Sequence, residues 1–442
     1  MLNLFDNFDQ ASFDLLRSQR IAKFNIPTVI LNDDGFLPTD IESPIQYFGR
    51  YNKNRNPMYF DQLAVPHYWR ILSTANSGTI YDLDEKKANI IYSATDNSRQ
   101  VKEVQWLDSA GNISWTDHYN QYGYRFERTD YQNGHPVWRT YFDKKNQSFL
   151  EWNLVAGDLF LTTNKMRHFS SFIEFAIYYL QIRHFNLDHI LYNTLDLSLN
   201  ISLQLHSNGS DTLFWHEKII NDVLPGNMQF LIDNPTRTKK IIFQNYPDWH
   251  RLKSRLQGSS KNVDFDYLGI IYPHPRANQL RPQALILTNS DEIIGLSTLV
   301  EQLPKVKFKI AAVTEMSEKL LSYQRYPNVK LYPNVSTKHV KELIATSDIY
   351  LDINRQQEIL DAVRGAFEQN MLIVGFEETL HEPNFVIAEN VFKSDEAIAM
   401  SKHILEALLK PALMKELIDK QRQMASEATV EEYRKKVGEV LK

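Results

Sequence analysis

Short apolar strands alternate with amphipathic helices at both ends of this 442-residue chain, and a long stretch without that rhythm separates the two parts. Residues 8–24 have the apolar spacing of a short helix, and residues 27–32 are typical of a buried strand. From about residue 44 to residue 161 the pattern changes to aromatic-rich alternation with frequent turn signals. The strand–helix alternation then returns. This pattern predicts an α/β protein with doubly wound sheets and an antiparallel insertion.

The inserted stretch, residues 44–161, carries the signals of an antiparallel β-meander. Asn133-Gly134 favours a hairpin turn, because both turn positions need a positive φ. Alternating apolar and polar residues lie on both sides of this turn, for example in residues 104–115. Aromatic residues are enriched in the cores of protein interfaces, so we expect a partner protein to dock on this domain.

Further elements complete two Rossmann-like domains around the meander. The pattern predicts helices at 169–185, near 214–223 and near 249–256, and strands at 188–192, 228–232 and 240–243. The first Rossmann-like domain is thus predicted to comprise residues 1–43 and 162–272. The rigid stretch 272–276 marks the hinge to a second Rossmann-like domain at 273–410. A terminal helix at 411–442 is expected to cross back to the first domain.

Composition and charge narrow the possible functions. A chain of 442 residues exceeds what one hydrophobic core usually serves, so two or three domains are expected. The formal net charge of -5 gives no polybasic signature of nucleic-acid binding, and the absence of Cys excludes disulfides and thiolate chemistry. The start lacks a signal-peptide pattern, and no window approaches the roughly 20 apolar residues of a membrane span. We therefore expect a cytoplasmic protein.

A strand, a polar loop, a helix and a second strand follow one another between residues 348 and 375. This order resembles the C-terminal domain of retaining glycosyltransferases with two facing Rossmann-like domains, the glycosyltransferase B type. In that family two glutamates, with seven residues between them, bracket the loop and helix that hold the donor sugar. The glutamate positions of the pattern fall on Gln357 and Gly365. A register shifted by one residue gives Glu358 and Ala366, so the pair is incomplete in either register.

The positions for the donor diphosphate differ from the family pattern as well. The resembled enzymes carry an Arg after the first strand of this domain and a Lys about one turn later, which together neutralise the diphosphate. Here the Arg position is Asn289, and the Lys position is Ile294 or its neighbour Glu292. A carboxylate beside a diphosphate repels it by roughly 1 kcal/mol or more per close pair. The resemblance thus implies a degenerate donor site, with no catalytic residue, cofactor or metal.

The whole layout resembles a narrower family, the paired cytosolic proteins that glycosylate serine-rich-repeat adhesins in Gram-positive bacteria. The resemblance rests on the meander, with its segments 106–108, 117–126 and 151–153, followed by a two-domain glycosyltransferase body. One protein of each pair is a catalytic O-GlcNAc transferase, and the other is a non-catalytic stabilising subunit or chaperone. The missing glutamates and cations assign this chain to the second kind.

The resemblance implies partners and a location. The pair transfers N-acetylglucosamine from UDP-GlcNAc to Ser or Thr of the adhesin before accessory Sec export. We expect a hetero-oligomer, such as a heterotetramer, in which this subunit binds the acceptor polypeptide, with no nucleic acid and with peripheral membrane association through the complex. The sequence does not identify the acceptor-binding residues.

Two other function classes stay open on the sequence alone. One is an active retaining glycosyltransferase with an atypical donor site, and the other is a peptide-binding chaperone without a role in glycosylation. Three smaller motifs favour structural roles. Residues 33–35 are more typical of a turn than of a metal site, and His274 and Arg276 more often satisfy a loop than bind a phosphate. Residues 216–217 resemble a metalloprotease fragment at the start of a helix, but the second His is missing.

Overall fold

The computed structural model describes residues 1–74, 76–93, 99–256 and 261–440. The chain divides into two compact units. Unit 1 comprises Met1–Leu268 together with the residues from Arg434 onward, and unit 2 comprises Gly269–Tyr433. The architecture is α/β, with a parallel sheet in each unit and an antiparallel sheet in unit 1. This confirms the predicted fold class, whereas the predicted domain boundaries stay a prediction.

Unit 1 contains the N-terminal elements, the meander and the rest of the first parallel sheet. In chain order its elements are β1 (Leu2–Phe5), α1 (Gln10–Ile21), β2 (Thr28–Ile30), α2 (Pro44–Gly49), β3 (Arg70–Ser73), β4 (Ser77–Asp82), β5 (Glu85–Tyr92), β6 (Val101–Leu107), β7 (Ile113–Tyr119), β8 (Arg125–Gln132), β9 (His135–Phe142), β10 (Ser148–Asn153), β11 (Leu159–Thr162), β12 (Met166–Phe169), α3 (Phe172–Ile182), β13 (Ile190–Tyr192), α4 (Leu197–Gln204), β14 (Asp211–Trp215), α5 (Gly226–Asp233), β15 (Thr238–Phe243), α6 (Tyr246–Leu256) and β16 (Asp264–Tyr267).

The parallel sheet of unit 1 has the order β16-β15-β14-β13-β1-β2. Local capping sets where its helices begin. Asp9 accepts a hydrogen bond from the backbone N of Ser12 at the start of α1, and Ser171 accepts one from the backbone N of Glu174 at the start of α3. Strand β1 was missed in the sequence analysis, because the helix pattern that follows it dominated the first residues.

The meander forms a continuous antiparallel sheet in which β3 to β12 each pair with the next strand. Its inner face packs into the core of the α/β body. Phe126, Tyr141 and Leu150 of the meander belong to the same buried cluster as Phe175 and Tyr179 of α3. Removing the meander would therefore expose the apolar surface of α3, so the two parts of unit 1 depend on each other for burial.

Several predicted elements are wrong. Residues 211–215 form strand β14 where a helix near 214–223 was expected, because this buried segment pairs with β13 on one side and β15 on the other. Residues 226–233 form helix α5 where a strand was expected, and its buried side chains recur at helical spacing. Strand β12 pairs with β11, so the antiparallel sheet includes residues up to Phe169.

Unit 2 repeats the strand–helix alternation and ends in helices. Its elements are β17 (Gln283–Thr288), α7 (Leu296–Gln302), β18 (Lys307–Ala312), α8 (Glu318–Leu321), β19 (Val329–Tyr332), α9 (Thr337–Ala345), β20 (Ile349–Asp352), α10 (Ala362–Glu368), β21 (Leu372–Phe376), β22 (Val391–Phe392), α11 (Ala397–Leu409) and α12 (Pro411–Met424). They are followed by α13 (Val430–Val440), of which only the residues up to Tyr433 belong to unit 2. The sheet is parallel in the order β19-β18-β17-β20-β21-β22, and separate apolar clusters pack on its two faces.

The C-terminal segment differs from the single terminal helix predicted at 411–442. It forms α12 and α13, and the short stretch between them includes an isolated bridge from Glu427 to Ile270. The residues of α13 from Arg434 onward belong to unit 1, where Arg434 Nε donates to Ala22 O at 3.0 Å. Within the residues that the structure describes, no helix is both long and apolar enough to cross a bilayer.

Candidate functional site

Two loops meet at the carboxyl edge of the unit 2 sheet, where ligands of open α/β sheets usually bind. One loop follows β17 and the other follows β20, its neighbour in the sheet. Their backbones are joined, because Ile294 N donates to Ile353 O at 3.0 Å and Arg355 N donates to Glu292 O at 3.2 Å. The structure therefore brings the loop with the two predicted diphosphate positions next to the loop with the first predicted glutamate position. We call these two loops the donor-type edge.

The four predicted site positions lie in different surroundings. Asn289 and Gln357 are exposed at the donor-type edge, and Ile294 packs against the apolar core below it. Gly365 lies within α10, where an added Cβ would come within 3.3 Å of Ile344 Cδ1 on α9. The structure thus brings the first three positions to one edge. A side chain at 365 would face α9.

Glu358, the alternative position for the first glutamate, has a structural role. Its Oε1 atom accepts a hydrogen bond of 2.7 Å from the backbone N of Val363, in the first turn of α10. Burial raises the pKa of Glu358, and the nearby carboxylates of Glu382 and Asp352 act in the same direction. Ala366, the alternative second position, is fully buried. Neither register places two carboxylates at this edge.

The buried carboxylate of Asp352, at the end of β20, holds a histidine at the donor-type edge. It accepts hydrogen bonds from the backbone N and the ring Nδ1 of His381, at 2.9 and 2.5 Å. The other ring nitrogen, Nε2, lies 2.6 Å from Gln356 O. Both ring nitrogens can donate only when the imidazole is protonated. The hydrogen bond to Asp352 raises the pKa of His381 to about 9, so the ring carries a positive charge at neutral pH.

A second set of hydrogen bonds joins the two loops. The hydroxyl of Thr288 lies 2.9 Å from Asn354 Oδ1, and both residues are buried. Asn354 Nδ2 donates to Gln356 O at 3.0 Å and lies 3.4 Å from Asn289 Oδ1. The side-chain donors and acceptors of Thr288 and Asn354 are therefore hydrogen bonded within the protein.

At the two positions where the resembled enzymes carry cations for the donor diphosphate, this edge carries none. Asp291 and Glu292 extend from the first loop, and Arg355 on the second loop lies 3.3 Å from the carboxylate of Glu378. Together with His381, Arg355 adds positive charge that the sequence analysis missed. Among the described residues, no group of three or more His, Asp or Glu could hold a metal ion.

The sequence analysis missed Asp352 and His381, and the sequence carries a signal for only the first of them. Asp352 is the last residue of the apolar strand β20, and a carboxylate at that position is a recognisable signal for the carboxyl edge of a sheet. His381 follows the next strand, β21, and lies 29 residues away in sequence. No local pattern indicates that these two side chains meet.

The smaller motifs have the structural roles that the sequence analysis favoured. Asp33 accepts a hydrogen bond from Gly35 N at 2.8 Å, in a turn with a φ of +86° at Gly35, and burial raises the pKa of Asp33 to about 6. His274 contacts Glu368 O and Glu427, and Arg276 Nη1 donates to the buried carboxylate of Asp348 at 2.5 Å. Residues 216–217 follow strand β14 and do not open a helix.

Comparison with known proteins connects this geometry to a family. Family models match four successive parts of the chain: the GtfB N-terminal domain at 2–48, the GtfB middle domain at 69–170, the GtfB third domain at 173–254 and the GftB/GlyA-F C-terminal domain at 284–421. A protein from Limosilactobacillus reuteri subsp. suis is 68% identical over 99% of both chains. It is the UDP-N-acetylglucosamine–peptide N-acetylglucosaminyltransferase stabilizing protein GtfB. The chain belongs to the GtfB family.

Solved structures agree with this membership of the GtfB family and with the fold. A chain of a GtfA/B complex bound to UDP and GlcNAc is 38% identical, matches all of both chains and has a TM-score of 0.93. The pneumococcal O-GlcNAc transferase GtfA in complex with UDP and GlcNAc is 12% identical, with a TM-score of 0.58 over 100% of this chain and 99% of that one. The second likeness establishes only the shared glycosyltransferase B-type fold.

Proposed function

We propose that this chain is the stabilising and acceptor-binding subunit of a protein O-GlcNAc transferase and that it transfers no sugar itself. The observation that carries the proposal is the 68% identity, over nearly the whole chain, to a GtfB stabilizing protein. The solved GtfA/B complex supports a catalytic glycosyltransferase as the partner. A glycosyltransferase fold without a working donor site suits a subunit that contributes binding surface to such a partner.

The donor-type edge supports the non-catalytic part of the proposal. Transfer from a sugar nucleotide requires positioned cations for the departing diphosphate, since charge develops there in the transition state. At this edge Asn289 and Ile294 occupy the family's cation positions, and Asp291 and Glu292 are negative. His381 is positive, but its two ring nitrogens already face Asp352 and Gln356 O. The edge is therefore suited to holding two loops together.

The proposal also covers the polypeptide acceptor of the complex and the location of the complex in the cell. The acceptor is the Ser/Thr-rich polypeptide of an adhesin, bound before export, and such polar chains are disordered when free. Ordering a flexible chain reduces the affinity for each unit of contact area, so this subunit alone should bind the unmodified repeat weakly, with a Kd of about 1 μM or above. We place the complex in the cytoplasm, with peripheral membrane association through the assembled subunits.

Co-expression with the catalytic partner tests this proposal. We expect the two chains to copurify, the partner's soluble yield to fall when this chain is omitted, and transfer of GlcNAc to a repeat peptide to require both. The matched control co-expresses the partner with an unrelated protein of similar size. Full transfer by the partner alone, or failure of the two chains to copurify, would contradict the proposed role.

A further inference from the structure

A cleft of about 460 Å³ opens at the amino edge of the unit 2 sheet, where the strands begin. One wall is the loop of residues 274–280, which leads into β17, and the other wall is α12. Asn370 joins the two walls, because its Nδ2 donates to Arg276 O at 2.6 Å and its Oδ1 accepts two hydrogen bonds from Arg422. The volume lies within the range of about 300–1,000 Å³ that is typical of small-molecule sites. We call this space the amino-edge cleft.

Hydrogen bonds fix the loop wall on both sides of Leu280. Asp348 Oδ2, in a buried carboxylate, accepts from the backbone N of Gln279 at 3.0 Å and from the backbone N of Arg281 at 2.8 Å. Asn278 Oδ1 accepts from Leu280 N at 3.0 Å. This wall is therefore ordered without a ligand.

Leu280 itself has a strained backbone, with a φ of +57°. In this left-handed region Cβ crowds the following carbonyl oxygen, so residues other than Gly, Asn and Asp rarely adopt it. The Leu280 side chain lines the cleft, is partly exposed and packs on the apolar core of unit 2. Strain of this kind clusters at ligand sites, where the surrounding structure holds it in place. Here Asn278 and Asp348 hold it, and an apolar side chain results at the wall of the cleft.

The α12 wall combines an apolar base with charged residues. Residues three or four positions apart share one face of a helix. This face lines the cleft with Met414, Lys415, Ile418, Asp419 and Arg422. Met414 and Ile418 are buried, whereas Lys415 and Asp419 are exposed. Together with Leu280, the two buried residues form an apolar surface that can hold an aliphatic chain or a ring.

Two cations of this wall keep unused donors. Lys415 has no hydrogen bond and no ion pair with any residue that the structure describes. Arg422 donates through Nε and Nη2 to Asn370 Oδ1, at 3.2 and 2.8 Å. Its Nη1 has no hydrogen-bond partner within the described parts of the chain. Asn370 thus fixes the orientation of the guanidinium and leaves N–H groups for an anion.

The charges around the cleft favour a carboxylate over a phosphate. A single negative charge can be shared by Lys415 and Arg422. A phosphate dianion would be repelled more strongly by Asp419, on the same helix face, and by Glu427, whose carboxylate lies 3.8 Å from Arg422 Nε. The apolar base favours a ligand with a hydrocarbon body over a small inorganic anion.

We propose that the amino-edge cleft binds a small carboxylate with an apolar body. The carboxylate lies between Lys415 and Arg422, and the hydrocarbon part packs on Leu280, Met414 and Ile418. Because the ligand contacts both walls, its binding should stabilise the packing of α12 on the loop before β17. This site goes beyond the proposed function, since it involves neither the donor-type edge nor the meander.

Calorimetric titration of the full-length chain with four probes tests the inference. Hexanoate carries both features, 1-hexanol lacks the charge, acetate lacks the hydrocarbon body, and hexyl phosphate is a dianion at about pH 8. We expect hexanoate to bind with a Kd of about 1 mM or below, at least about tenfold more tightly than each of the other three, and to raise the unfolding midpoint. No saturable binding of hexanoate, or equal or tighter binding of another probe, would overturn the inference.

Charge variants of α12 locate the carboxylate. Lys415→Gln should weaken hexanoate binding about tenfold, because it removes one of the two cations. Asp419→Asn should strengthen binding about twofold, because it removes a negative charge from the same wall. The matched control is Lys338→Gln, which makes the same charge change at an exposed lysine of α9 outside the cleft. Unchanged binding in Lys415→Gln, unchanged or weaker binding in Asp419→Asn, or a tenfold loss in the control would overturn the assignment.

A variant of the loop wall tests the apolar contact. Leu280→Asn keeps a residue that tolerates a positive φ and removes the apolar side chain. It should weaken hexanoate binding about fivefold and leave acetate binding unchanged. If Leu280→Asn does not fold, Leu280→Ala gives the same comparison. Wild-type affinity for hexanoate in the folded variant would show that the hydrocarbon part lies elsewhere and would overturn the proposed site.

Discussion

The donor-type edge of unit 2 and the face of strands β7 and β8 in unit 1 that carries Asp117 and Asp130 contrast in how their polar groups are hydrogen bonded. At the donor-type edge, His381 contacts Asp352 and the loop after β20, and Asn354 of that loop is hydrogen bonded to Thr288 at the end of β17. On this face of the meander, Asp117 accepts hydrogen bonds from Trp106, Arg125 and Arg128, whereas Asp130 has no hydrogen bond or ion pair among the described residues. The site that the family resemblance points to is held together by its own hydrogen bonds, whereas the Asp130 carboxylate on the meander is unpaired among the described residues.

The largest effect is expected from removing the Asp352 carboxylate, which is hydrogen bonded to His381 at the donor-type edge. Asp352→Ala should lower the free energy of unfolding by about 3–5 kcal/mol, because it leaves the partly buried His381 imidazolium without its buried carboxylate partner. Glu378→Ala, which breaks the exposed pair with Arg355, is the control and should cost only about 0–1 kcal/mol. Denaturant unfolding measures both. Similar losses of unfolding free energy in the two variants would mean that the hydrogen bonds of Asp352 do not stabilise this edge.

Adjacent residues on β10 test the two faces of the meander. Leu150→Ala should lower the free energy of unfolding by about 2–5 kcal/mol, because Leu150 is fully buried in the core that the meander shares with α3. Glu151→Ala should change it by about 0.5 kcal/mol or less, because this residue lies on the open face. Thermal and denaturant unfolding of the two variants give the comparison. A large cost at Glu151 would show that this face is also tightly packed at β10.

The protonated histidine gives the donor-type edge a characteristic pH dependence. The pKa of His381 is about 9 in the folded chain and about 6.5 when unfolded, so its stabilising contribution is complete below about pH 6.5 and is lost as the pH rises through about 9. The stability difference between wild type and His381→Gln should therefore shrink between about pH 6 and about pH 10. Unfolding midpoints across this range measure it. A stability difference that stays constant or grows over this pH range would mean that the proton on His381 does not provide the stabilisation.

The smallest effect is expected at the first predicted glutamate position. Gln357→Ala should leave transfer by the assembled complex within about twofold of wild type, since Gln357 is exposed and its side chain contributes no required group in this account. Initial rates with UDP-GlcNAc and a repeat peptide measure this. The control is the same complex with Asn289→Ala, which should behave alike. A tenfold or greater loss in either variant would mean that the donor-type edge takes part in transfer.

The sequence predicted the architecture better than the individual elements. Alternation of strands and helices, and the hairpin signal at Asn133-Gly134, correctly indicated parallel sheets and an antiparallel meander. The errors at β14 and α5 arose because short apolar runs fit either period, and pairing with distant strands decides between them. The pattern also showed that the meander has aromatic faces. It did not show which face is buried with α3.

The candidate site was predictable only in part. Asn289, Ile294 and Gln357 could be placed near one another, because loops after neighbouring parallel strands meet at one edge. The pairing of Asp352 with His381, and the orientation of position 365 toward α9, depend on how distant segments fold onto the sheet. The residues that share one face of the meander could be identified only from the strand register, since a shift by one residue moves every side chain to the other face.

Transfer by the purified single chain is the most direct test of the central claim that this subunit does no chemistry at its own donor-type edge. The chain would be incubated with UDP-GlcNAc and repeat peptide, alone and after addition of the catalytic partner, and released UDP and glycopeptide would be counted. The account predicts no turnover by the chain alone, no rescue by Gln357→Glu together with Gly365→Glu, and full transfer once the partner is added. Sustained UDP release by the wild-type chain alone would contradict it.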